Sequence, residues 1–252
     1  ASHNPPEYNG IKFIPEYGGP ALPEVTDEIE RNLSSLLETP AEKLDNCEPP
    51  YRCLSLEEGY KRGMVKDIDP REEYLQHLSR VIDVEAIRRR PLKVVVDPMY
   101  GCGMGFLEEF LARTDCQVQA VHNFCDPMFG GIVPEPMGRW LNDLRQAVVE
   151  SGADLGVALD GDADRFGVVD RHGRYFTANE TLYLFLDYLL RTREHRGPVA
   201  RTVATTHMLD RIAARHGLTV EETAVGFKYI GQSLLERGAI IGGEESGGMS
   251  IH

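Results

Sequence analysis

Three carboxylates at alternate positions, Asp160, Asp162 and Asp164, stand in the run Asp160-Gly161-Asp162-Ala163-Asp164-Arg165, directly after the apolar stretch 155–159. Alternate side chains of an extended segment share one face, so all three can point at one cation. Hard oxygen donors with no His or Cys among them suit Mg²⁺ better than Zn²⁺, and Mg²⁺ in such a site suits the handling of phosphate. The competing reading is a solvated Asp/Gly turn. The flanks weigh against it. Leu155-Gly156-Val157-Ala158-Leu159 reads as a buried strand and Phe166-Gly167-Val168-Val169-Asp170 as another. The carboxylates then lie at a strand end, where open α/β sheets bind ligands.

Two other motifs share part of this spacing. An EF-hand loop beginning at Asp160 needs Gly at its sixth position and Glu at its twelfth. Those positions hold Arg165 and Arg171, so calcium-sensor chemistry is excluded. The Asp160/Asp162 pair after an apolar strand is also similar to the haloacid-dehalogenase-type phosphatases, whose first Asp is the nucleophile. Asp164 departs from that family, which has Thr or Val at the position.

Two polar loops have the residue types for phosphate and sugar chemistry. Ser2-His3-Asn4-Pro5-Pro6 places a hydroxyl beside two hydrogen-bonding side chains, with Lys12 after Asn9-Gly10-Ile11. Gly242-Gly243-Glu244-Glu245-Ser246-Gly247-Gly248 combines close backbone approach with side chains that accept from and donate to vicinal hydroxyls. Each alone also reads as a turn. A third glycine run, Gly101-Cys102-Gly103-Met104-Gly105-Phe106, invites a dinucleotide-binding reading, but Phe106 stands where the last glycine is required. It reads as a tight strand-to-helix connection.

Composition narrows the partners. The chain has 252 residues, 42% hydrophobic and 27% charged, with a formal net charge of -13. This repels polyanions, and Arg88-Arg89-Arg90 is too short a basic run to reverse it, so nucleic acid and anionic membranes are excluded as expected partners. Local cations and a metal must then bind phosphate, which fits a small substrate. Five cysteines, Cys47, Cys53, Cys102, Cys116 and Cys125, form no CxxC pair, and the expectation is a reducing cytoplasm. The most apolar window, 182–190, is short and carries Asp187, so it reads as a core helix. No signal peptide is recognisable, and both ends read as cut, the first at Ala1 in a polar loop and the last at His252 with nothing to cap it.

Periodicity supplies the elements that would hold these loops. A short strand is expected over Ile11-Lys12-Phe13-Ile14, then a helix over 24–37 with Val25, Ile29, Leu33 and Leu36 on one face. Residues 40–70 show no period, and Pro49-Pro50 and Asp69-Pro70 punctuate them, placing a boundary near 67–77. Then comes an alternation: helix 72–90, strand 92–97, helix 105–113, strand 118–122, helix 139–151, strand 154–159 and a hairpin closing at 176. A second alternation follows: helix 179–191, strand 199–205, helix 208–216, strand 219–223, helix 228–237, strand 239–242. This order means βαβ layers.

Taken together, Ser2-His3-Asn4-Pro5 with Asn9-Gly10-Ile11-Lys12, then Asp160-Gly161-Asp162-Ala163-Asp164-Arg165, then Gly243-Glu244-Glu245-Ser246-Gly247 resemble the α-D-phosphohexomutase superfamily of phosphoglucomutases and phosphomannomutases in order and spacing. The resemblance implies α/β architecture in consecutive three-layer α/β/α domains with mixed sheets: 1–74 with the phosphoserine loop, 75–175 with the metal loop, and 176–252 with the sugar loop. It implies Ser2 as the phosphoryl carrier, with Mg²⁺ held by Asp160, Asp162, Asp164 and a phosphoserine oxygen. Arg165, His3 and Lys12 would serve transfer. Asn4, Gly226, Lys228, Glu244 and Ser246 would bind substrate. The implied reaction interconverts hexose 1- and 6-phosphates through glucose 1,6-bisphosphate, with domain closure to exclude water. The Glu244-Glu245-Ser246 loop leans toward glucose over mannose or glucosamine.

No Arg-x-Ser-Gly-Thr-type loop, which in the family grips the non-reacting phosphate, occurs in these 252 residues, so weak or absent mutase turnover by this chain alone is expected. Two other classes remain. A Mg²⁺-dependent phosphatase would use Asp160 as nucleophile and survive Ser2→Ala, and a noncatalytic fragment would bind hexose phosphates without chemistry.

Overall fold

The computed structural model describes residues 2–8, 10–37, 55–194 and 196–252. Two units divide the chain: residues 13–78 form one, and residues 1–12 with 79–252 form the other. In the smaller unit, α1 (Pro23–Leu37) follows the expected helix, and α2 (Leu56–Lys61) is capped by Ser55, whose hydroxyl accepts from Glu58 N–H at 3.2 Å. The apolar face of α1 is not covered as its pattern suggests, since Val25 and Leu33 are exposed. The side chain of Leu36 lies outside the described ones, as do Asn9, Pro40, Pro49, Pro50, Cys47 and Cys53.

No strand forms at 11–14. Ile11 is 84% exposed and Ile14 57%, and Pro15 follows immediately. A strand needs a neighbour to satisfy its backbone, and no described strand pairs with this segment. The helix expected over 72–90 is two helices, α3 (Arg71–Val81) and α4 (Val84–Arg89). The break falls at Asp83, whose carboxylate accepts from Ala86 N–H at 2.9 Å and starts α4 as its cap.

In the larger unit, the first sheet is ordered β2-β1-β3-β4-β5. Its strands are β1 (Lys93–Asp97), β2 (Gln117–Ala120), β3 (Leu155–Leu159), β4 (Phe166–Asp170) and β5 (Tyr175–Phe176). β1 runs parallel to β2 and β3, whereas β4 is antiparallel to β3 and β5. Helix α5 (Phe106–Ala112) packs on β2, and α6 (Asn142–Ser151) on β1 and β3. Helix α6 begins three residues later than expected from the pattern, because Trp140 N–H closes a turn onto Met137 O before it. Val95, Leu144, Val148, Ala158 and Val169 make the core between α6 and the sheet.

The second sheet is ordered β7-β6-β8-β9, from β6 (Val199–Thr202), β7 (Val220–Thr223), β8 (Ile241–Gly243) and β9 (Met249–Ile251). Its parallel strands alternate faces. Val199 and Ile241 pack with Leu182, Leu186 and Leu209 of α7 (Ala178–Thr192) and α8 (Met208–Arg215). Ala200 packs with Ile230 and Leu234 of α9 (Phe227–Arg237) on the opposite side. The result is the expected α/β/α layering with mixed sheets. A capping box fixes the start of α7: Thr177 and Glu180 satisfy each other's backbone N–H groups. No helix among the described residues is long and apolar enough to cross a membrane.

Candidate active site

The Asp160–Arg165 run joins antiparallel β3 to β4, whose last facing pair is Leu159 with Phe166. It is a turn and not the extended segment that alternation suggested. Asp160 N–H bonds Arg165 O at 3.2 Å and Ala163 N–H bonds Asp160 O at 3.0 Å, closing the loop. Ala163 takes a left-handed backbone with φ 61°. The three carboxylates still converge, each offering an oxygen within 4.8 Å of the others. A tight turn achieves what the pleat was expected to do.

The three differ in surroundings. Asp160 is fully buried, and its Oδ1 accepts from Arg165 N–H at 2.9 Å. Burial pushes its carboxyl up to about 7; the Arg165 N–H pulls it down, and Asp162 and Asp164 add to the rise. Asp162 also carries a burial penalty, but hydrogen bonds from Lys12, Asp160 and Ser2 outweigh it and hold the group below its ordinary value. Lys12 Nζ reaches Asp162 Oδ2 at 2.5 Å and Asp164 Oδ2 at 2.7 Å. Burial lowers the Lys12 pKa, but these two carboxylates raise it further, so it stays charged. Asp162 Oδ1 is buried without a hydrogen-bond partner. Three hard oxygen ligands, one of them orphaned, fit a small divalent cation.

Ser2 is delivered to this loop from the other end of the chain. Its Oγ donates to Asp160 Oδ2 at 3.4 Å and lies 3.2 Å from His3 Nδ1. Burial lowers the His3 pKa and the Arg165 cation lowers it further, so the imidazole is held neutral. The Arg165 guanidinium lies 4.0 Å from Asp164 Oδ1. Asn4 is exposed on the same segment.

The glycine loop 244–248 joins β8 to β9, and its Gly247 faces the metal loop: a Cβ there would lie 3.6 Å from Arg165 Cβ. Glu244 is buried, its Oε1 accepting from Gly226 N–H at 2.8 Å and its Oε2 from Ser246 Oγ at 3.4 Å. Gly226 thus joins Glu244 directly and Ser246 through it. Lys228 instead stands over the Tyr229 ring, 5.2 Å from its centroid. Sequence reasoning passed over Glu245, whose Oε2 accepts from Thr202 and Thr205 hydroxyls at 3.3 Å each. It also passed over Pro134 and Cys102. Pro134 O accepts from Gly161 N–H at 3.3 Å, and Cys102 N–H donates to Gly161 O at 3.0 Å. These are backbone contacts, which side-chain type does not announce.

Family models for phosphoglucomutase/phosphomannomutase α/β/α domains match in order along the chain: domain I over 1–39, domain II over 72–173 and domain III over 177–252. The chain belongs to the α-D-phosphohexomutase superfamily. It is 37% identical over 249 residues to a phosphoglucomutase/phosphomannomutase of Thermococcus kodakarensis, covering 99% of this chain and 51% of that relative. A Komagataeibacter xylinus phosphoglucomutase is 30% identical, with 99% and 46% covered. A phosphoglucosamine mutase of Acetivibrio thermocellus is 30% identical, with 98% and 51% covered. A crystal structure assigned as a phosphomannomutase of Thermus thermophilus superposes with a TM-score of 0.84 at 33% identity, covering all of this chain and 53% of that one. The chain thus spans about half the length of the phosphohexomutases it matches.

Proposed function

We propose that the protein interconverts hexose 1-phosphate and hexose 6-phosphate through a phosphorylated Ser2, with glucose as the preferred sugar. The observation that carries this reading is the meeting of Ser2 Oγ with the buried Asp160 carboxylate at 3.4 Å, across a sequence separation of 158. The three domains of the reading are 1–74, 75–175 and 176–252, and its cation is Mg²⁺. Asp160, Asp162, Asp164 and a phosphoserine oxygen would hold it, a reading supported by the orphaned Asp162 Oδ1. Mg²⁺ bound there would offset charge on the transferring phosphoryl group.

The chain's own residues do the rest. His3 Nδ1, held neutral, lies 3.2 Å from the Ser2 oxygen and orients it, while the Ser2 hydroxyl proton is directed at Asp160 Oδ2. The guanidinium of Arg165 and the ammonium of Lys12 supply fixed positive charge around the equatorial oxygens of a loose transition state. Glu244 and Ser246 bind sugar hydroxyls, with Gly226, Lys228 and Asn4 at the rim. In the first transfer a substrate hydroxyl oxygen bonds to phosphorus as the bond to Ser2 Oγ breaks and the hydroxyl proton ends on that Oγ, giving hexose 1,6-bisphosphate. After reorientation the other phosphoryl returns to Ser2, releasing the isomeric monophosphate. The free Cys102, Cys116 and Cys125 support a cytoplasmic setting for this chemistry. The named activities of the relatives support the class of substrate.

Because the chain spans half of its relatives, the partial reaction is the sharper test. Glucose 1,6-bisphosphate with Mg²⁺ is expected to add one phosphoryl group to Ser2, read by intact mass and peptide mapping, and Ser2→Ala is expected to abolish it. ³¹P NMR of the same mixture follows the sugar phosphates, with mannose and glucosamine analogues compared in turn. Release of inorganic phosphate that persists in Ser2→Ala would replace the reading with a phosphatase. Binding without any transfer would reduce it to a sugar-phosphate-binding fragment.

A further inference from the structure

We propose that the turn Gly101-Cys102-Gly103, between β1 and α5, is the positioning element of the Asp160–Arg165 loop, with Gly101 its decisive residue. The inference rests on the reading of that loop as the metal site. A Cβ on Gly101 would lie 2.6 Å from Gly161 O, 2.8 Å from Gly161 Cα and 3.0 Å from Asp160 O. All three are backbone atoms, which cannot rotate aside. The φ of Gly101 is not in the left-handed region, so any residue could adopt it. Glycine is therefore required here by contact with the metal loop and not by its own conformation.

The grip has several parts. Cys102 N–H donates to Gly161 O at 3.0 Å, fixing the same peptide. A Cβ on Gly103 would come 2.8 Å from Leu159 Cδ1 and 3.1 Å from the Cβ of Ala163, the left-handed residue of the loop. From the other side, Pro134 O accepts from Gly161 N–H, and a Cβ on Gly161 would lie 2.3 Å from Ser2 O. The second residue of the metal loop is thus clasped between the glycine turn and the backbone of the phosphoryl carrier.

The turn is itself firmly anchored. Met99 and Tyr100 both have left-handed backbones, at φ 47° and 61°, a conformation that persists only when its surroundings enforce it. Met99 is buried and its N–H bonds Asp97 Oδ1 at 2.8 Å; Tyr100 N–H bonds His122 O at 3.1 Å, and its ring stacks on His122 at 4.6 Å. Such a support holds the three carboxyl groups close together before a cation arrives. Mg²⁺ demands near-ideal octahedral geometry, so a small displacement of the loop should weaken its binding.

The test is Mn²⁺ binding to the whole chain, followed by electron paramagnetic resonance, beside urea unfolding. Gly101→Ala is expected to weaken Mn²⁺ binding by about 10–100-fold while remaining folded. Gly156→Ala is the comparison, because its Cβ would meet Val148 Cγ2 at 2.7 Å in the core and not the metal loop. It is expected to lose stability and keep the wild-type affinity. Gly103→Ala presses only on side chains and should weaken Mn²⁺ by less than about 10-fold, reading the same effect if Gly101→Ala fails to fold. Wild-type affinity in the folded glycine-turn variants, or equal weakening in Gly156→Ala, overturns the inference. Failure of the unmutated chain to bind Mn²⁺ overturns the metal reading beneath it, a distinct result.

Discussion

The two sheets of the larger unit follow one plan. In each, the first strand in sequence pairs in parallel with the next two, and the third turns back into an antiparallel neighbour: β2-β1-β3-β4, extended by β5, and β7-β6-β8-β9. The loop at that reversal carries the acidic residues in both, Asp160–Asp164 in one and Glu244–Glu245 in the other. Their chemistry diverges. In the first loop the carboxylates crowd one another, Asp160 is pushed up to about 7 by burial and Asp162 Oδ1 has no partner. In the second, Glu244 and Glu245 are already met by Gly226 N–H and by the Ser246, Thr202 and Thr205 hydroxyls. A buried carboxylate oxygen left without a donor is one that a cation could meet, whereas carboxylates already met by donors are held in place by the chain's own groups.

The sharpest break in this comparison is Asp162→Ala. It removes the orphaned ligand and should weaken Mn²⁺ binding by at least about 100-fold, leaving the second loop's contacts intact. Glu244→Ala is the counterpart: hexose phosphate binding should fall by about 10–100-fold, as expected when a hydrogen bond to a charged group is lost, with Mn²⁺ affinity unchanged. Calorimetric titration of both ligands against both variants reads the full cross. If each variant damages both ligands equally, the division of labour between the sheets is wrong.

Two smaller effects separate the sheets by stability. Buried Arg201, beside the β6 end, forks onto Asp210 at 2.7 and 3.0 Å and reaches Glu222 at 2.8 Å. Asp210→Ala should cost about 1–3 kcal/mol in urea unfolding without altering Mn²⁺ affinity. At the corresponding end of β1, His122 Nδ1 lies 3.1 Å from both Asp97 oxygens, and its Nε2 lies 3.0 Å from Asp143 Oδ2. Hydrogen bonding to Asp97 raises the His122 pKa; burial opposes this and Asp143 adds to it. A raised folded-state pKa gives stability fully present below the unfolded value of about 6.5 and lost as pH rises through the folded value. Thermal midpoints of the unmutated chain should therefore fall relative to His122→Gln between pH 6.5 and alkaline pH. The Arg201 pair should show no such trend there.

Local pattern made much of this legible. Strands β1, β3 and β6 and the reversal after β3 follow from apolar runs and punctuation, and the three Asp are neighbours in the chain. What local pattern missed depends on distant atoms. Val25 and Leu33 mark a face that wants burial, but periodicity does not say what covers it, and both are exposed. Asp83 reads as an interior helix residue until its carboxylate is found capping α4. Ala163 is an improbable type for a left-handed turn, so pleated alternation was the natural expectation for the metal loop. The Ser2 loop reached its place beside Asp160 only through resemblance, since nothing near residue 2 names its partner.

The reach from Ser2 to Asp160 also fixes an order of events in the cell. The serine is synthesised first and its carboxylate neighbour 158 residues later. At about 5–20 residues per second, roughly 8–30 s of translation separate them. Throughout that interval the serine is an ordinary hydroxyl on a nascent peptide, with no Asp160 beside it and no Lys12 bridge to Asp162 and Asp164. The surroundings that set Ser2 apart from other serines are therefore acquired only after the strands flanking Asp160 have emerged.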